Sequence, residues 1–297
     1  MRGKSGYALA LMGGVFWAVG GICGQLLFDV KGMTSDWLIP YRLGIAGLIL
    51  LVISLIKGRK IFAPWRCGRD VVSLLIFALI GTVITQYGYY TAIYYSNAAT
   101  STVLNYVAPA FIISYTALRQ RKMPSSKEII SVICVIIGVV AIATHFNFGA
   151  FAISPKALFW GIFSAVGFAV YTIQPKRLLD KFDNSVVVGW GMLIGGIATA
   201  AVCRPWRFGM VSDVGGWACL ACVIIVGTVL SFSCYLAGVQ RIGPTKGSLL
   251  SAAEPVVSAI LSIALLNVEF NWADLVGFVL IIGTVPLLAW DEVKKVR

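Results

Sequence analysis

The chain has 297 residues, 59% of them hydrophobic and only 12% charged, with a mean hydropathy of +0.89. A soluble domain carries about 25% charged residues, so roughly half the charge of a water-exposed surface is missing and a soluble enzyme or binding module is excluded. The net charge of +12 is not a nucleic-acid footprint, because the basic residues gather on one side of the predicted membrane spans.

Apolar runs of about 20 residues match a hydrocarbon core of roughly 30 Å and predict an all-α integral membrane protein. Ten transmembrane helices follow in chain order: Gly6–Phe28, Ser35–Ile56, Asp70–Tyr94, Ala98–Leu118, Lys127–His145, Pro155–Lys176, Asp183–Cys203, Asp213–Val239, Gly243–Leu266 and Trp272–Trp290. These long runs are unlike the short alternating strands of an outer-membrane barrel. The first span follows Arg2 and Lys4, as a secretory signal would. Its apolar stretch is too long and has no obvious small-residue cleavage site, so it reads as an anchor. No connection is long enough for a soluble domain, and no G-x-x-x-x-G-K-[ST] motif is present to bind a nucleotide.

With the N-terminus in the cytoplasm, only Lys31, Lys156, Arg204 and Arg207 of the 24 basic residues fall on outer segments. Arg42 lies within a span and every other Lys and Arg falls inside. That bias satisfies the positive-inside rule and predicts both termini cytoplasmic. The inner basic residues are topology signals and contacts for anionic lipid headgroups. Six of the seven cysteines lie in apolar spans. Cys219-x-x-Cys222 has metal or redox spacing but no His or carboxylate nearby in sequence, so these are read as buried small residues, and no metal or cofactor is expected. The single histidine, His145, ends a span.

The chain repeats itself. Gly81 to Val139 can be laid on Gly227 to Val285 at a constant spacing of 146 residues, which pairs Tyr89 with Tyr235, Leu104 with Leu250, Pro109 with Pro255 and Glu128 with Asp274. The expected domains are residues 1–146 and 147–297, each a five-helix repeat. An odd number of spans per repeat inverts the second in the membrane, a geometry that supports alternating access.

At this point the residues resemble a known family. Val15-Phe16-Trp17-Ala18-Val19-Gly20 in the first span is similar to the opening of the EamA family, in the drug/metabolite transporter superfamily. So are Pro40-Tyr41-Arg42-Leu43 with Ala46-Gly47-Leu48, the Ala92–Ala99 segment running to Pro109, and Gly243–Leu250 leading to Ala253-Glu254-Pro255. Arg119-Gln120-Arg121-Lys122 departs from it, standing where the family often has an acidic residue. The resemblance covers essentially the whole chain. It implies a ten-helix secondary carrier of the bacterial cytoplasmic membrane, often an exporter of amino acids or related metabolites.

Glu254 is the carboxylate deepest in any span. A charge at the bilayer centre costs about 3 kcal/mol on insertion scales, so it should face the bundle interior, a water-filled cavity or a partner, either to exchange a proton or receive a substrate ammonium or to staple its span to a neighbour. Pro255 and Pro109 remove backbone donors at equivalent places and are read as helix kinks. Arg42, seven residues into the second span, is read as a structural charge that snorkels outward or pairs with Asp36, or as a contact for an anionic substrate group. Trp17, Asn105, Tyr171 and Ser251 lie deep in their spans and are candidate cavity residues, as is Tyr87. Trp37, Tyr94, Tyr95, Trp272 and Trp290 sit near span ends as interface anchors. Gly20-x-x-x-Gly24 and Gly191-x-x-x-Gly195 offer small faces for close packing.

The expected partners are thus a small-molecule solute, membrane lipid and, through Glu254, protons. A channel or structural subunit is the alternative. An intramembrane lipid transferase is disfavoured, because no paired carboxylates or His–Asp set appears.

Overall fold

The computed structural model describes residues 2–121, 123–147, 152–242, 250 and 253–295. Among them it is all-helical. Eight helices are long and apolar enough to cross a membrane: α1 (Arg2–Asp29), α2 (Ser35–Ile56), α3 (Gly68–Tyr95), α4 (Ala98–Arg119), α5 (Ser126–Thr144), α6 (Pro155–Lys181), α7 (Asn184–Cys203) and α8 (Val214–Val239). Two shorter apolar stretches follow, α9 (Ala253–Leu266) and the first part of α10 (Trp272–Lys295). The approach to α9 lies outside the described residues, including the Gly243–Lys246 part of the expected second hairpin.

Helix ends must satisfy their own backbone groups, since lipid offers no partners. Thr34, Asn97, Ser125, Asp183 and Asp213 each accept a first-turn backbone N–H from their side chains. Ser125 and Glu128 form a reciprocal capping box at the start of α5, with Ser125 N donating to Glu128 at 2.6 Å. Asn271 N donates to Asp274 at 2.9 Å at the start of α10. The two acids that align in the sequence therefore perform the same capping task.

The helices pair in a pattern with internal symmetry. α2 lies along α7 and α5 along α10, α1 packs on α8 and α9, α6 packs on α3 and α4, and α4 meets α9. Exchanging α1–α5 with α6–α10 turns this set of main pairings into itself, and every one of them joins the first five helices to the second five. One close approach is Gly20 on Gly227, where a Cβ on either glycine would come within 2.6 Å of the other's Cα. Gly24 similarly admits the Tyr90 ring, and Gly191 the Phe77 ring.

Two helices share a further irregularity. α3 is π-helical over Phe77–Val83 and α8 over Cys222–Leu230, segments that coincide at the spacing of the sequence repeat. A π-turn inserts an extra residue and turns the following side chains to a new face. α4 is also interrupted. It runs Ala98–Asn105, breaks at Tyr106 and Val107, and resumes at Ala108 with Pro109 in its new first turn.

One interface reading is corrected. Trp37 has 0% exposure and packs edge-on against Tyr41 at 5.5 Å, so it is a core residue and does not anchor the interface. Its place in the first turn of α2 turns it toward α1 and α8, where it joins the core with Phe28 and Ile224.

Candidate functional site

Polar side chains gather where α2, α3 and α8 meet. Arg42 is only 3% exposed. Its Nε donates to Thr228 Oγ1 at 2.9 Å, its Nη1 donates to Gln86 Oε1, and its guanidinium stacks 4.5 Å from the centre of the Tyr90 ring. The outward snorkelling and the Asp36 pairing expected of Arg42 are both replaced by this inward arrangement. Asp36 instead accepts from the Tyr87 hydroxyl, and Tyr87 faces Trp160 at 5.4 Å. Thr228 lies in the π-helical segment of α8, where it offers α2 a buried acceptor for the guanidinium. A buried guanidinium needs polar partners to offset lost hydration, and two hydrogen bonds and a cation–π contact supply part of that need.

Glu254, in the first described turn of α9, is half-buried and lies within electrostatic reach of Arg42, Tyr89 and Tyr90. The Tyr89 hydroxyl shares a 2.8 Å hydrogen bond with Thr102 in the first segment of α4. A cation, a carboxylate and two tyrosines from α2, α3 and α9 thus converge on one interior region between the two sets of helices. Pro255 is buried directly after Glu254.

The remaining candidates fall in different places. Trp17 packs against Phe232 and Tyr235, with ring centres 5.1 Å apart in both cases. Tyr171 lies 4.8 Å from Phe77 and within electrostatic reach of Tyr235, so α1, α6 and α8 share an aromatic wall. Asn105 ends the first segment of α4, and its buried Oδ1 has no hydrogen-bond partner among the described residues. Ser251 lies outside the described residues. Tyr87 stands apart from Glu254, in the Asp36 and Trp160 group.

Thr228 is visible in the sequence through the repeat, paired with Thr82, and two further participants were not picked out there. Thr102 is a short hydroxyl residue in an apolar helix, a weak signal. Gln25 donates to Asp29 at 3.1 Å and accepts the Ala98 backbone N–H at 2.8 Å, so a buried amide seats the start of α4. Cys23 also joins Cys219 and Cys222 within thiol hydrogen-bonding reach. Among the described residues no cluster suited to a metal ion occurs.

An apolar helical bundle with a charged and aromatic interior between two sets of helices is the build of a membrane transporter. The chain belongs to the EamA-like transporter family, whose model matches residues 4–144 and again 155–290, placing it among the drug/metabolite transporters. It is 38% identical to an uncharacterized inner membrane transporter, YicL, of Salmonella typhimurium, over 99% of this chain and 98% of the relative. It is 22% identical to an uncharacterized transporter, YcbK, of Bacillus subtilis, over 90% and 89% of the two chains. A solved crystal structure with 16% sequence identity superposes with a TM-score of 0.66 over 96% of both chains, a likeness of fold. The protein is a multi-pass transporter of the cell membrane.

Proposed function

We propose that this protein is a secondary transporter that moves small organic metabolites, amino acids or related solutes, outward. Two inverted five-helix halves, ten spans in all with both termini cytoplasmic, alternate their access to the two sides. The interior region containing Arg42, Tyr89, Tyr90 and Glu254 is the substrate site, and the Trp17, Tyr171 and Tyr235 wall lines the path.

The observation that carries this reading is a buried Arg42 hydrogen-bonded to Thr228 and Gln86, with Glu254 of the other half within its electrostatic reach. Opposite charges held apart in a low-dielectric interior complement a solute that carries both signs. The carboxylate is also the group able to take a proton when the solute leaves. Pockets of this kind combine aromatic walls with a few directed polar groups. Asn105 belongs to the same path by its place on α4.

The test is counterflow. Purified protein in liposomes preloaded with unlabelled amino acids should accumulate a labelled one saturably, which a channel would not do. Glu254→Gln should change the pH dependence of that exchange. An unchanged rate and pH profile would remove Glu254 from the mechanism.

A further inference from the structure

Several ion pairs join the halves, Arg59–Asp183 and His145–Asp274 among them, and two others repeat one contact at the two ends of the bundle. At the end that carries most of the basic residues, Asp70 in the first turn of α3 binds Lys181 at 3.0 Å and Arg177 at 3.3 Å, both near the C-terminus of α6. At the opposite end, Lys31 just past α1 binds Asp213, the N-cap of α8, at 2.7 Å. α6 is the counterpart of α1 and α3 the counterpart of α8, so the same contact occurs twice. In each case a basic residue at a helix's exit meets an acid at its partner's entry. Carried back at the same spacing, the repeat sets Asp70 on Gly216, three residues past Asp213.

We propose that these pairs are opposing latches of the transport cycle. Asp70 with Lys181 and Arg177 closes the cytoplasmic end, and Lys31 with Asp213 closes the outer end. The inference rests on the alternating-access reading. Inverted halves that exchange conformations must open one end as they close the other, so a contact that spans the halves at an end is broken whenever that end opens.

The latches are unequal. Asp70 is 3% exposed and faces two cations whose side chains are 45% and 42% exposed, and separating them strands a buried carboxylate. The outer pair is open to water, with side-chain exposures of 28% and 47%, and such pairs hold weakly and are screened by salt. The inner latch is therefore the stronger, and the resting protein keeps its cytoplasmic end closed in preference to its outer end.

Lys31→Gln and the double variant Arg177→Gln/Lys181→Gln remove the cations and leave both acids, including the α8 cap Asp213, in place. Asp70→Asn breaks the inner latch from its other side, should the double variant fail to fold. Hydrogen exchange of the full chain in lipid nanodiscs reads each end separately. The inner variants should speed exchange at the starts of α3 and the end of α6, and slow it at the end of α1 and start of α8. Lys31→Gln should do the reverse, by less. Faster exchange confined to the mutated end would overturn the proposal, since a local structural contact produces only that. A carrier that performs counterflow while its variants show local change alone would sink the latches and leave the transport reading standing. Reciprocal exchange with no solute carried would do the opposite.

Discussion

Arg42 Nε donates to Thr228 Oγ1 at 2.9 Å, across 186 positions of the chain. This bond ties α2 of the first half to the π-helical turn of α8 in the second. The equivalent turn in α3 has Thr82 at the aligned position, and its buried hydroxyl has no partner among the described residues. α7, the counterpart of α2, contains no basic residue. The scaffold is symmetric and the charge is not, so the chemistry is assigned to one side of a two-sided frame.

Thr228→Val keeps the shape of that residue and removes the acceptor. The Arg42 Nε–H then loses a buried partner, a loss of about 1–3 kcal/mol. Thermal unfolding in detergent should show a lower midpoint for Thr228→Val and a nearly normal one for Thr228→Ser. Equal loss in both variants would mean that packing, and not the hydroxyl, matters at this position.

Arg42→Lys retains the charge without the planar fork that reaches Thr228 and Gln86 together. Counterflow should fall well below the wild-type rate, although the protein still inserts and folds. Full activity in Arg42→Lys would show that a point charge is enough and that the guanidinium geometry is unused.

Gly227→Ala places a methyl group where the Gly20 Cα already stands, 2.6 Å from the new Cβ. Neither atom belongs to a flexible side chain, so α1 and α8 must move apart. Overpacking of this kind costs about 1–3 kcal/mol. Gly44→Ala, with open space around the new Cβ, is the control and should melt close to wild type.

Asp183 gives a pH signature outside the membrane. Burial pushes its carboxyl upward, but hydrogen bonds from Ser185 and the nearby charges of Arg59 and Lys57 outweigh it, and the group titrates below the ordinary aspartate value of 3.8. A carboxylate with a lowered value stabilises the fold above the unfolded-chain value and loses that contribution as pH falls through the folded one. Asp183→Ala also removes the α7 cap, a loss of about 1 kcal/mol at neutral pH. The gap between the variant and wild type should narrow below pH 3.8 in acid titrations of melting temperature. A gap that stays constant to low pH would assign the effect to something other than the charge.

The spans were legible because lipid imposes one requirement over their whole length, and each observed helix begins within a few residues of its apolar run wherever it is described. The repeat was legible because symmetric packing needs similar faces. The site was less so. Glu254 and Arg42 stand out as charges in apolar sequence, but their surroundings depend on which helix faces converge. A π-turn leaves no compositional mark, and without it Thr228 gives no hint that it meets Arg42. Trp37 shows the same limit from the other side, since nearness to a span end did not predict whether it faced lipid or core. Asp70 and Lys181 read simply as part of the inner basic segments, and only the fold brings them together.

The wide turns at Phe77–Val83 and Cys222–Leu230 have one more implication. Each residue of an α-helix advances about 100° around its axis, so removing a single residue from either segment would rotate everything beyond it by that amount. In α3 such a deletion would swing Gln86, Tyr89 and Tyr90 away from Arg42 and Thr102 while leaving every side chain chemically intact. A one-residue shortening there should therefore silence the protein more completely than exchanging any single one of those three for alanine.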